Sequence, residues 1–303
     1  MVMPPLATLL TLAALLASAP PASTTEGQRA ETSAPRAAET AGGQAVPVAP
    51  SAHAAGGNAC NRSGRPMSTD RPDVTESPYT VPTGCWQVEM SAVEYTRDRH
   101  AGTSDVAVLP TNLKLGITRA LDIEVIVSPY RRITFDGLKS ARSSGPGDLT
   151  LRAKFNLAGD DRGRIATALM PFVSAPLGAA RISSGHVEGG LVWPTAFNDL
   201  PGGFDVGAML ETDVVYDDRD ARYALDVVHS VTVDHALAGD VLHGYVEYAG
   251  AAGVRAGHRY AATLDTGLEF ALAPDLQFDA GVLFGLTPAT PGVGLLCGVS
   301  FRF

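Results

Sequence analysis

A two-residue rhythm is the strongest constraint on this chain. In residues 148–157, Leu149, Leu151, Ala153, Phe155 and Leu157 fall on one face of an extended strand. Asp148, Thr150, Arg152, Lys154 and Asn156 fall on the other. In 204–216, Val206, Ala208, Leu210 and Val214 oppose Asp205, Gly207, Glu211 and Asp213. In 260–270, Tyr260, Ala262, Leu264, Thr266, Leu268 and Phe270 oppose Ala261, Thr263, Asp265, Gly267 and Glu269. In 276–286, Phe278, Ala280, Val282 and Phe284 oppose Gln277, Asp279, Gly281 and Gly285. One such strand suits the half-buried edge of a soluble sheet. A series of them, each about ten residues long and set apart by turn chemistry, requires an apolar medium on one side and water or fixed charge on the other.

The last strand sharpens this. Val293, Leu295, Cys297, Val299, Phe301 and Phe303 alternate with Gly294, Leu296, Gly298, Ser300 and Arg302, and the sequence stops on an aromatic side chain inside the strand. It looks like the terminal strand of a bacterial outer-membrane barrel, which implies lipid outside the odd positions and a lumen around Arg302. The pattern predicts an all-β fold: a transmembrane, antiparallel, up-and-down β-barrel over 85–303. About twelve strands begin near Cys85, Val106, Ile123, Asp148, Ile165, Gly189, Phe204, Arg222, Val241, Arg259, Leu276 and Val293. The fifth and sixth are the weakest, interrupted by Pro171 and Pro194 and without a cleanly polar face. Short turns (119–120, 159–164, 200–203, 236–240, 273–275) alternate with longer loops (96–105, 135–147, 177–186, 250–257), as periplasmic turns and outer loops do. Trp86, Phe204, Phe270, Phe301 and Phe303 are expected at the periplasmic rim, and Tyr95, Tyr216, Tyr223 and Tyr260 at the outer one.

Composition fits. Charged residues make up 18%, below the roughly 25% of soluble domains, and the formal net charge is −9. That acidic balance, without a Lys/Arg-rich run, excludes a nucleic-acid partner. Residues 6–16 are apolar and lead into Ala17-Ser18-Ala19, so 1–22 reads as a secretory signal peptide that sends the chain to the outer membrane. Residues 23–66 are rich in Ala and Pro and poor in large apolar groups, which predicts a disordered periplasmic lead. Beyond the signal no stretch is long and apolar enough for a spanning helix. Cys60 and Cys85 flank 69–76 and are a possible disulfide in an oxidising compartment, while Cys297 lies on the predicted lipid face.

Residues 67–84 form a motif segment before the first strand. Thr69-Asp70-Arg71-Pro72-Asp73, Thr75-Glu76-Ser77, Val81-Pro82, Gly84 and the aromatic-then-Glu strand ending at Glu89 resemble the start of a bacterial family of outer-membrane barrels named for the MetA pathway of phenol degradation. The resemblance runs to the C-terminal Phe and implies transport of small solutes, with hydrophobic or aromatic compounds suggested by the family's name. Cys85 departs from the pattern. Asp70, Arg71, Asp73 and Glu76 alternate in sign between prolines, and two readings stand: a solvated tether with weak local pairing, which is favoured, or a plug folded into the periplasmic mouth.

The register places Glu89, Lys114, Glu124, Arg152, Lys154, Glu211, Asp213, Asp226, Glu247, Asp265, Glu269, Asp279 and Arg302 inward as pore-lining residues, basic towards the N-terminal half and acidic towards the C-terminal half. Such a lumen favours cations or, if its charges pair, closes. Catalysis is not expected. His229 faces outward between Val227 and Val231 with no Ser beside it, and His235, His243 and Asp234 are a faint metal constellation only. Neither cofactor nor metal is implied. The leading reading is an outer-membrane channel or transporter; the alternative is a closed barrel acting through its outer loops, and a lipid-modifying enzyme ranks below both. The partners implied are outer-membrane lipid, a small-molecule solute and, through Phe303, the barrel assembly machinery.

Overall fold

The computed structural model describes Cys60 and residues 65–303 apart from 137–140, 161–162, 219 and 254–259. The predicted signal peptide and nearly all of the Ala/Pro-rich lead lie outside the described residues. Among these, fifteen strands form one antiparallel sheet: β1 (Trp86–Asp98), β2 (Thr103–Val108), β3 (Thr111–Thr118), β4 (Leu121–Val127), β5 (Tyr130–Phe135), β6 (Ala141–Gly145), β7 (Leu149–Ala158), β8 (Ile165–Ala175), β9 (Glu188–Leu200), β10 (Phe204–Asp217), β11 (Arg222–Ala238), β12 (Leu242–Gly253), β13 (Ala261–Ala273), β14 (Leu276–Gly285) and β15 (Val293–Arg302). The last strand pairs with the first, Gln87 against Arg302 through Arg97 against Val293. The terminal residue joins this seam, with Phe303 N–H donating to Trp86 O and Trp86 N–H to Phe303 O, both at 2.9 Å.

β1, β3, β4 and β7 to β15 are the twelve staves of the closed barrel. Closure removes sheet edges, so the backbone is satisfied without water. The second, third and fourth staves each break once, which the alternation did not reveal. Leu109, at φ 57°, and Pro110 separate β2 from β3; Ser128-Pro129 separates β4 from β5; Pro146-Gly147 separates β6 from β7. Proline cannot donate to a ladder and biases its predecessor, so each break falls where pairing is cheapest to lose. Above the breaks, β2, β5 and β6 pair with each other and with the upper half of β1, extending the wall at the long-loop end. Much of the loop expected at 135–147 is thus strand.

β8 and β9 are full staves despite their prolines. Their ladder runs from Ile165–Phe197 to Ser174–Glu188 and skips the pairs beside Pro194, while Thr167 Oγ1 donates to the Pro194 carbonyl at 3.1 Å. The lost ladder bond is local and both neighbours hold the strand. Their inner face is unclear in sequence because it is apolar: Met170, Val192 and Met209 pack together inside the barrel, with Phe172 and Val228 against them.

The outer wall carries exposed Leu151, Leu210, Val231, Leu264, Phe284 and Leu295. Buried side chains on the inner wall include Lys114, Lys154, Glu89, Glu124 and Glu247. This inversion of the soluble pattern is what a lipid-facing barrel requires. Replacing Leu264, which lies between the outer rim and the midplane, with arginine is expected to cost about 2 kcal/mol of folding free energy in vesicles. A urea titration of the Leu264→Arg variant that matches the native protein would mean the register is wrong.

Candidate functional site

The luminal side chains do not face an empty pore, because residues 65–81 fold inside the barrel. The segment is held at its base by a disulfide between Cys60 and Cys85. Thr80 Oγ1 donates to the Arg119 carbonyl at 2.9 Å and Val81 N–H to Asp122 at 2.9 Å, fixing one limb near the short-turn end. Arg302, paired with Asp275, donates to the Arg65 carbonyl at 3.0 Å and fixes the other. Between them the chain crosses the lumen.

Asp70 is the hub of this crossing. Its carboxylate meets Lys114 Nζ and, at 2.8 and 2.9 Å, Lys154 Nζ. Its N–H donates to Glu89 at 2.9 Å, and Ser77 N–H returns to its carboxylate at 2.9 Å, closing the segment on itself. Burial raises the Asp70 carboxyl, but Lys114, Lys154 and Arg152 outweigh it and hold the group well below the usual carboxylate range. Arg71 reaches β14 and β1, forming two bonds to Asp279 at 2.7 and 3.1 Å, and donates to Ser91. A Cβ on Gly298 would fall on that guanidinium, so only glycine leaves it room. Glu247 accepts N–H bonds from Val74 and Thr75, both at 2.7 Å, and a hydroxyl bond from Thr75. Arg152 bridges Glu76 and Glu124 at 2.5 and 2.8 Å.

The favoured reading of 69–76 as a solvated tether is therefore corrected. Its charges are not exposed local pairs: Asp70, Arg71 and Glu76 each find an opposite charge on the barrel wall, where burial strengthens the pairing and penalises its loss, while Asp73 faces Glu247 and Glu269. Lys114, Arg152 and Lys154 lie on β3 and β7 with Glu124 between them, and the segment consumes their charge. Glu89, Glu247, Asp265, Asp279 and Arg302 are buried on the inner face, and Glu211, Asp213, Asp226 and Glu269 are partly so. Glu94 also points inward, missed because a bulge between Ser91 and Val93 shifts the parity of β1. Asp122, Ser91 and Asn198 join the contacts to the segment as well. Asn198 was hidden by the irregular pattern of β9. Asp122 and Ser91 sit at inward positions but carry no sequence mark beyond polarity.

The crossing divides the lumen. Below it, at the short-turn end, lies a cavity of about 980 Å³ whose lining includes Arg65, Asp73, Asp160, Asp205, Asp234, His243, Tyr245 and Glu269. Above it a second of about 580 Å³ is lined by Glu94, Thr96, Asp105, Ser128, Arg131 and Asp148. Arg71 borders the first and Glu94 the second, 3.9 Å apart, so the septum is about one side-chain layer thick there. His243 Nδ1 lies 3.0 Å from Asp234, while His235 turns outward to the Gly203 carbonyl at 2.8 Å. Among the described residues no three His, Cys, Asp or Glu side chains are grouped to hold a metal ion.

Residues 69–303 match the family described as "Putative MetA-pathway of phenol degradation". The chain belongs to this family. No curated protein is a match to the sequence. Among solved structures, an outer-membrane channel from Pseudomonas putida F1 is similar at 14% identity and a TM-score of 0.58, covering 78% of this chain and 100% of that one. A NanC porin follows at 10% identity and a TM-score of 0.45, covering 72% and 100%. The β domain of the Bordetella autotransporter BrkA gives 13% identity, a TM-score of 0.45 and coverage of 73% and 100%. The fold of this member of the phenol-degradation family is that of the Pseudomonas putida outer-membrane channel, a closed barrel, and the family match starts inside its luminal segment, at Thr69.

Proposed function

We propose that this protein is an outer-membrane channel for small solutes whose conductance is set by docking of residues 65–81 in the lumen. The observation that carries this reading is the pair of cavities separated by a thin, salt-bridged septum. A structural barrel needs neither vestibule, and the connections that cross the lumen belong to a segment tethered at its base. With short turns assigned to the periplasm, the larger cavity opens inward and the segment enters from that side. The solute class we infer is small organic molecules, including aromatic ones. The family's description points there, and one luminal wall is apolar (Met170, Phe172, Val192, Met209) while its neighbours are acidic. We assign Phe303, exposed beside the seam, to recognition by the assembly machinery.

Liposome uptake of phenol-sized solutes tests the channel. Uptake that matches empty liposomes, even with 69–76 deleted, would count against it.

Docking is also expected to depend on pH through Asp73. Burial, then Glu247 and Glu269, pushes this carboxyl well above the usual range. Docked Asp73 holds a proton that it releases on undocking, because in water its pKa returns to about 4. The docked state is therefore favoured below that value and weakens as pH rises through the window between it and the docked pKa. One proton gives at most about 1.4 kcal/mol per pH unit. Asp70, shifted the other way, adds docking stability above its ordinary pKa and loses it only under acid. Glu76 on the same segment, raised to about 8 chiefly by burial, acts with the same sign as Asp73. Between about pH 5 and 8 openings should thus become more frequent with pH, and Asp73→Asn should lower the slope without abolishing it.

A further inference from the structure

The outer wall of the barrel is apolar, yet near its long-loop end three polar side chains are linked. His229 Nε2 lies 2.8 Å from Tyr260 Oη, and Tyr260 Oη lies 2.7 Å from Tyr248 Oη. The imidazole and the Tyr260 ring are near parallel, 17° apart. Both rest over Gly250, where a Cβ would meet the Tyr260 hydroxyl and approach His229 Nε2 at 2.7 Å. On their strands the neighbours facing the same way are Val227, Val231 and Val246.

Counting protons shows what this group lacks. A neutral imidazole has one N–H and each hydroxyl one O–H, giving three donors for two hydrogen bonds. If Nε2 accepts from Tyr260, the Nδ1–H of His229 is left over. If Nε2 donates, one of the two hydroxyl protons is left over. In either tautomer one donor remains, and among the described residues no further hydrogen bond of these three side chains is seen. An unused donor in an apolar wall is costly unless the surroundings supply an acceptor.

Depth identifies the acceptor. Tyr260 stands ten positions from Phe270 of the inner aromatic rim. At about 3.3 Å per residue and a tilt of roughly 40°, that is about 25 Å, the height of the apolar band. The trio therefore sits where acyl chains meet headgroups. Among the acceptors of that level, the acyl carbonyls are the ones set on the hydrocarbon side, beside the valines that flank the trio.

We propose that His229, Tyr248 and Tyr260 form a hydrogen-bonding site for the acyl carbonyl of an ester-linked outer-leaflet lipid. The proposal rests on the outer wall facing lipid but not on conduction. Matched diester and diether phosphatidylcholines test it, because the diether lacks the carbonyl and is otherwise alike. In native mass spectrometry of the detergent-purified full chain with equimolar lipids, the first bound lipid should favour the diester by roughly three- to tenfold, the value of one hydrogen bond. His229→Phe and Tyr260→Phe should abolish the preference. Equal binding of both lipids, or a preference that survives both substitutions, overturns the site. Should a variant not fold, the ¹⁵N shifts of His229 in native protein decide instead: they should differ between diester and diether nanodiscs, and identical spectra refute the proposal. Failure of the lipid-facing wall itself would show separately, as protein that does not enter nanodiscs.

Discussion

Asp70→Ala is expected to release the luminal segment while leaving the barrel intact. The side chain lies between Lys114 and Lys154, both buried, and closes the segment on itself through Ser77. Removing one partner of a buried ionic cluster costs about 3–5 kcal/mol, because the remaining charges stay desolvated without compensation. Lys114 keeps Glu89 and Lys154 keeps Glu124 at 3.5 Å, which places the cost at the lower end. In the undocked state the same lysines are hydrated, so the penalty falls on docking alone. The amides of Val74 and Thr75, now bonded to Glu247, should exchange with deuterium roughly a hundred- to a thousandfold faster. Amides of β13 and β14 should keep their native rates. Unchanged exchange at 74 and 75 would mean that Asp70 does not hold the segment.

Opening the disulfide is expected to act on the same equilibrium by a different route. Cys60 and Cys85 are 25 positions apart, and a covalent loop of that size restricts the undocked segment by about 3 kcal/mol in chain-entropy terms. Cys60→Ser with Cys85→Ser, or reduction of the native protein, should raise the frequency of channel openings about a hundredfold at constant open conductance. Both treatments should agree. If they change the conductance of the open state instead, the bridge shapes the pore rather than tethering its plug.

The barrel was legible because the alternation has a simple cause: lipid selects apolar side chains at every second position, whatever the luminal residues are. Leu151, Leu264 and Leu295 mark the outer wall without reference to any distant contact. Signals failed where that cause was locally absent. β8 and β9 are apolar on both faces, since Met170 and Val192 pack in an apolar cluster on the luminal side, and so they lost their rhythm. A bulge after Ser91 inverted the parity of β1 and concealed Glu94. The luminal segment was harder still. Its charges look like local pairs because Arg71 and Asp73 flank Pro72, but their partners stand far away in sequence, at Asp279 for Arg71 and at Lys114 and Lys154 for Asp70. Only the closed barrel brings those positions within reach, and no periodicity in 67–84 encodes them.

The most direct test is single-channel recording in a planar bilayer, comparing the native chain with one lacking 69–76. A channel closed by its docked segment predicts rare openings in the native protein and sustained, cation-preferring conductance after the deletion, because the inner wall retains its excess of carboxylates. Equal, steady conductance in both, or silence in both from folded protein, would contradict it.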